Sequence, residues 1–319
     1  LILLLFLASF GMLVVISASP SIAINKDLDG FHFVERHIYY LIISICCLLV
    51  FSTLSVKGIL RLSALGFFIA LILMFLVLIL SKEINGSVRW IKISSFSIQP
   101  SEFIKPFFIV MTGYFFANKR EKYFHISGNS LASISLILLM FLLILQPDAG
   151  MMMIVFMVWC CQYFISGIKI KKIVIISLLA SVISVLVYYS KPHVKSRIDS
   201  FLSADQPGIQ VKKALLAYES GGIIGRGPGE GTVKINMPDA HTDFIFPVIA
   251  EEYGLIACLS LIILFVLIVM RGFFKLKRIK NLFVLIASAG LIIQFGLQAF
   301  INIAVSLKLA PTTGVTLPF

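Results

Sequence analysis

LSALGFFIALILMFLVLILS, Leu62 to Ser81, runs for twenty residues without a charge between Arg61 and Lys82. A helix rises about 1.5 Å per residue, so this length covers roughly the 30 Å of a bilayer's hydrocarbon. In lipid every backbone N–H and C=O must find its partner inside its own segment, which a helix achieves and a lone strand does not. The stretch therefore reads as a membrane-spanning helix. The same reading holds for residues 1–19, 37–56, 149–168, 173–190, 253–270 and 281–305. Residues 103–118 and 131–146 are shorter, and the first contains Lys105 and Pro106, so both read as spans that are tilted or partly covered by neighbours. Nine spans are expected in an all-α polytopic membrane protein.

Composition points the same way. Of 319 residues, 59% are hydrophobic and 13% charged, 28 are Phe, and the mean hydropathy of +1.03 lies far outside the soluble range. Lys and Arg collect in alternate loops: Lys57 and Arg61; Lys119, Arg120 and Lys122; Lys169, Lys171 and Lys172; Arg271, Lys275, Lys277, Arg278 and Lys280. These mark the cytoplasmic side. The opposite loops hold Asp27, Asp29, Glu35, Glu83, Asp148, Asp199, Asp205, Glu219, Glu230, Asp239 and Asp243. The net charge of +12 is thus a record of topology, with basic loops against anionic lipid, and not a footprint for nucleic acid.

With the N-terminus inside, residues 191–242 form one large extracytoplasmic loop of a single integral-membrane domain covering residues 1–319. Its apolar piece at 211–218 suits a short amphipathic helix, and the loop is expected to lie as a lid over the bundle. Cys46, Cys47, Cys160, Cys161 and Cys258 all fall inside spans without metal-type spacing, which argues against disulfides and zinc. The chain opens on Leu1 rather than Met and stops just after a loop, as a fragment would. A cleaved signal peptide is the alternative for residues 1–19, given Ser17, Ala18 and Ser19, but no basic region precedes it.

The chemistry is concentrated in PDAHTDFIFPVIAEEYG, Pro238 to Gly254, which sets Asp239, His241, Asp243, Glu251 and Glu252 at the mouth of the eighth span. His241 and Thr242 would suit a helix cap, with Asp243 favoured by the helix dipole. The functional alternative is convergence: Asp243 opens on the same membrane side as Glu102, Lys105, Asp148 and Trp90. Glu251 and Glu252 would lie roughly 12–14 Å deeper along a continuous helix, lining the bundle interior or a hydrated cavity.

Other stretches carry two readings each. Gly221, Gly222, Gly225, Gly227, Gly229 and Gly231 suggest either a phosphate cradle or a flexible turn; no P-loop pattern and no preceding strand support the first. In NGSVRWIKISSFSIQPSEFIKP, Asn85 to Pro106, Trp90 is an interface aromatic or a substrate contact. Glu102 and Lys105 share a helical face, either neutralising each other or holding a reacting group. Asp148, pinned in a short turn after Gln146 and Pro147, is a helix cap or a site residue.

SASP after the first span, NGSVRWIKI with IQPSEFIK, LQPDAG, GGIIGRGPGEG, PDAHTDFIFPVIAEEYG and PTTGVTLPF, in this order along nearly the whole chain, resemble the SEDS family (shape, elongation, division and sporulation) of polytopic peptidoglycan polymerases. Ala240 before His241 and GVTLPF at the C-terminal end are more similar to the division branch than to the elongation branch. The family has ten helices, so the tenth, with the SYGG-type stretch before it, is expected to be missing here.

The resemblance implies a glycosyltransferase that polymerises lipid II into glycan strands at the outer face of the bacterial cytoplasmic membrane. It implies Asp243 as the essential carboxylate, Glu102 and Lys105 as its support, and Arg89, Trp90, Asp148, Arg197, Gln210 and His241 as substrate-binding positions. Lys213 and the Gly208–Ile209 pair depart from the family pattern and put the local loop contacts in doubt. A carboxylate suits removal of the acceptor 4-hydroxyl proton, with inversion at the donor sugar. The pyrophosphate leaving group needs neutralisation by Lys, Arg (here Arg89 or Arg197) or a divalent cation such as Mg2+; no cofactor is certain and no ATP is required. Implied partners are lipid II, the growing lipid-linked glycan, a class B penicillin-binding protein and other divisome proteins. The rival readings are a lipid II flippase or transporter using Glu251 and Glu252, and a non-catalytic divisome scaffold.

Overall fold

The structure, a computed structural model, describes residues 1–24, 29–81, 89–93, 96–123, 125–190, 192–203 and 208–318. Of the sequence readings above, those on Asp27, Glu83, Asp205, residues 85–88 and Phe319 lie outside the described residues. The chain runs through α1 (Ile2–Ile24), α2 (His32–Thr53), α3 (Val56–Leu80), α4 (Pro100–Ala117), α5 (Gly128–Leu145), α6 (Ala149–Ile165), α7 (Ile170–Ser190), α8 (Pro192–Leu202), α9 (Ile209–Gly221), α10 (Ile245–Leu276) and α11 (Leu282–Ser306). Seven of these, α1, α2, α3, α5, α7, α10 and α11, are long and apolar enough to cross a membrane. α6 is apolar but only 17 residues long, and α4 carries Glu102 and Lys105. The protein is a polytopic helical membrane protein.

Two short hairpins depart from the all-helical expectation. β1 (Ile91–Ile93) pairs antiparallel with β2 (Phe96–Ile98), with Lys92 opposite Ser97, and β3 (Lys122–Tyr123) pairs with β4 (Ile126–Ser127). The first follows from sequence: apolar and polar residues alternate in both IKI and FSI, the period of a strand. α2 starts five residues before the expected span, which puts Glu35 in its first turn, where the helix dipole favours an acid. The amphipathic helix expected at 211–218 is present as α9.

The chain folds as two compact units. One comprises Leu1–Thr53, Arg197–Arg271 and Gly296–Phe319; the other comprises Leu54–Ser196 and Gly272–Phe295. In the second, α4 packs against α3, α5 and α6. Lipid tails are as apolar as the side chains, so helices here associate through close packing and polar contacts. Gly113 shows the packing: a Cβ there would lie 3.0 Å from the Ala287 backbone. Gln162 shows the polar part. It is fully buried, accepts from Thr112 Oγ1 at 2.8 Å and donates Nε2 to Ile109 O at 2.9 Å, joining α6 to α4.

In the first unit α10 is two helices, not one. Gly254 breaks it with φ 75° and ψ −175°, a backbone region open essentially to glycine. A broken helix strands carbonyls and N–H groups, and here the glycine-rich segment takes them up. Glu251 O and Glu252 O accept from Arg226 N (3.0 Å) and Gly227 N (2.9 Å), while Leu255 N and Ile256 N donate to Gly222 O (3.0 Å) and Ile223 O (3.4 Å). Residues 255–276 are long enough to span alone, and residues 245–253 form a separate buried piece ahead of them. The break lies beyond Glu252, so residues 245–253 carry both acids on one helical piece that starts just after the turn at Asp243.

Candidate functional site

The second unit assembles its charged group around the start of α4. Pro100 occupies the first turn of α4, where a missing N–H costs nothing. One turn on, Lys105 Nζ lies 2.6 Å from Glu102 Oε2; the lysine side chain is 3% exposed and the glutamate 37%. The expected shared face is thus an ion pair with its cation inside and its anion at the edge.

Asp148 is a helix cap with further polar partners. Its Oδ1 accepts from Met151 N at 3.2 Å, capping α6, and lies 3.5 Å from Arg89 Nη1, while Oδ2 accepts from Gln99 Nε2 at 3.4 Å. Arg89 also donates to Pro147 O at 2.6 Å. Burial pushes the Asp148 carboxyl above its usual range, and the Arg89 guanidinium and the Met151 N–H pull it back. Among the described residues Arg89 Nε is buried without a hydrogen-bond partner. Trp90, by contrast, is 42% exposed.

The first unit holds Asp243, His241, Gln210 and Arg197. Asp243 lies in the turn just ahead of α10, half-buried, and its backbone carbonyl accepts from Asn302 Nδ2 at 2.7 Å. His241 packs its ring on Phe33 of α2, with centroids 4.5 Å apart. Gln210 donates to the exposed Asp239 at 3.0 Å, and Arg197 Nη1 donates to Thr312 O at 3.2 Å.

Glu251 and Glu252 are 0% and 1% exposed, and both are fully engaged. Glu251 accepts from three successive backbone groups, Thr232 N (2.7 Å), Val233 N (2.8 Å) and Lys234 N (3.1 Å). Glu252 pairs with Lys234 Nζ and accepts from Ser17 Oγ, and the same lysine donates to Ser17 O (3.0 Å) and Gly229 O (3.2 Å). The cradle around Glu251 is built by Thr232, Val233 and Lys234, just past the glycine-rich segment. Within the segment, Gly225 N donates to Gly221 O and Gly229 N to Ser17 Oγ, both at 2.8 Å.

Lys234, Ser17, Gln99 and Asn302 were not foreseen. Lys234 had a signal: two adjacent carboxylates beside an apolar span require a cation, and Lys234 stands between the glycines and the acids in sequence. Asn302 had none beyond being an amide in an apolar helix.

Comparison with known proteins gives a consistent picture. A model of the FtsW, RodA and SpoVE family, described as cell cycle proteins, matches residues 1–319. The probable peptidoglycan glycosyltransferase FtsW of Caulobacter vibrioides is 37% identical over 315 residues, covering 98% of this chain and 80% of that one. A chain of a solved peptidoglycan synthase complex, in which polymerization and crosslinking are coordinated, superposes with a TM-score of 0.80 at 22% identity over 99% of this chain and 89% of its own. The rod shape determining protein RodA of Thermus thermophilus superposes with a TM-score of 0.69 at 22% identity, over 99% and 87%.

Proposed function

From the premise that this chain belongs to the FtsW, RodA and SpoVE family of cell cycle proteins, we propose that it is a peptidoglycan glycosyltransferase of cell division. Its substrate in this reading is lipid II, polymerised on the periplasmic side of the inner membrane, with undecaprenyl pyrophosphate as the leaving group. Identity of 37% across 98% of the chain to a probable peptidoglycan glycosyltransferase carries the activity.

Asp243 is the proposed general base. Its neighbours in the PDAHTDFIFPVIAEEYG stretch favour it by elimination: Asp239 is exposed and held by Gln210, while Glu251 and Glu252 are buried and consumed by the cradle and by Lys234. Asp243 is half-buried, and its main chain is anchored through its carbonyl. A general base must come within about 2.6–3.2 Å of the proton it removes and contributes roughly 10²–10⁴ in rate. It takes the proton from the acceptor 4-hydroxyl as that oxygen attacks the anomeric carbon, the bond to pyrophosphate breaks, and the new linkage forms with inversion.

Glu102 and Lys105 are proposed to orient that carboxylate, and Arg89, Trp90, Asp148, Arg197, Gln210 and His241 to bind substrate. Among the described residues no three His, Cys, Asp or Glu side chains come together to hold a metal ion. A divalent cation would then be held largely by pyrophosphate and water with a single carboxylate, as Mg2+ often is. A class B penicillin-binding protein is the proposed partner, in keeping with the solved complex that couples polymerization to crosslinking. The transport reading drew on Glu251 and Glu252, which are already satisfied.

The test is polymerisation of labelled lipid II by the purified protein, alone and with its transpeptidase partner. Glycan strands without added nucleotide support the proposal; lipid scrambling without polymer refutes it.

A further inference from the structure

The geometry points to Asn302 of α11 as a positioning residue for Asp243, an inference that rests on Asp243 being the general base. The Asn302 side chain is 2% exposed, and its amide nitrogen donates to Asp243 O and to Val315 O, each at 2.7 Å. A primary amide has two N–H bonds, so both are used, at the short end of the normal range. One side chain therefore ties the turn ahead of α10 to the buried segment after α11, where Val315 and Leu317 are each 6% exposed.

The other half of the amide argues that packing is not its purpose. Among the described residues Oδ1 is buried without a hydrogen-bond partner, and an orphaned buried acceptor is destabilising. Leucine has the same number and branching of side-chain heavy atoms and carries no acceptor to orphan. What leucine lacks is the pair of donors. Asp243 precedes the first residue of α10, so its main chain has no helical hydrogen-bond ladder to fix it, and the Asn302 bond supplies an external anchor. A displacement of about 1 Å at a reacting group can cost on the order of 10²-fold in rate. Asn302 acts on Asp243 through the backbone, so its loss should fall on turnover and leave substrate affinity in place.

Gln298, one turn earlier on α11, is a built-in control. It donates to Thr316 O at 3.2 Å, in the same segment. Kinetics of lipid II polymerisation by the full chain, with melting temperature measured in parallel, test the inference. Folded Asn302→Ala is expected to lower kcat about 10- to 100-fold with KM within about twofold, while Gln298→Ala keeps kcat within about threefold. If Asn302→Ala does not fold, Asn302→Ser, which keeps one donor, carries the test with the same split between kcat and KM. A folded Asn302 variant with native kcat, a rise in KM alone, or an equal loss of kcat in Gln298→Ala overturns it. Asp243→Asn in the same assay separates the two claims: active Asp243→Asn sinks the base assignment and this inference together, whereas inactive Asp243→Asn beside fully active Asn302 variants sinks only the inference.

Discussion

Lys234 and Glu252 form an ion pair sealed from solvent, with side chains 2% and 0% exposed. They fasten the end of the glycine-rich segment to the first piece of α10, nine residues before Asp243 in sequence on one side and nine after it on the other. The pair and the adjacent Glu251 cradle thus bracket the proposed base.

Removing one partner of such a pair leaves an uncompensated buried charge, at a cost of about 3–5 kcal/mol. Lys234→Met should therefore melt well below the native protein in detergent, and Lys234→Met with Glu252→Leu should recover much of that loss. Equal melting of native protein and single variant would show that water reaches the pair.

Gly254→Ala should be among the most damaging single-methyl changes. A Cβ at this position would lie 2.3 Å from Ile223 O, in a φ/ψ region that alanine avoids. Expression of folded protein, followed by size-exclusion chromatography, should fall sharply. Native behaviour would mean that α10 can run straight through this point.

The long apolar helices and the ion pair at Glu102 and Lys105 were legible because hydropathy and helical spacing are local signals. The break at Gly254 was not, since one glycine in EEYG has no meaning until the carbonyls of Glu251 and Glu252 are seen taken by Arg226 and Gly227. The β1–β2 hairpin was visible as alternation in IKI and FSI but was masked by the surrounding apolar pattern. Asn302 was invisible because its partners are main-chain carbonyls remote in sequence.

Asp148 should leave a signature in acid. Its folded pKa is raised above the ordinary 3.8, so the folded protein holds the proton more tightly than the unfolded chain does. That contribution is complete below 3.8 and is lost as pH climbs through the raised value. Asp148→Asn keeps a good cap and cannot titrate. The melting temperature of native protein relative to Asp148→Asn should therefore fall from acid toward neutral pH and then level off. A difference that rises with pH would contradict the assignment.

The Glu102 and Lys105 pair separates neutralisation from orientation. Lys105→Met should lower polymerisation about 10²-fold if the pair orients the reacting carboxylate. The exchanged pair, Glu102→Lys with Lys105→Glu, should regain stability without regaining activity. Full polymerisation by the exchanged pair would reduce these residues to charge balance.

The central claim is that the Asp243 carboxylate removes the acceptor proton. Polymerisation of lipid II by native protein, Asp243→Asn and Asp243→Glu, each confirmed folded and paired with the same transpeptidase, tests it most directly. Asp243→Asn should lose at least about 10²-fold in rate, with Asp243→Glu retaining a measurable part. Glycan strands formed by Asp243→Asn at the native rate would contradict it.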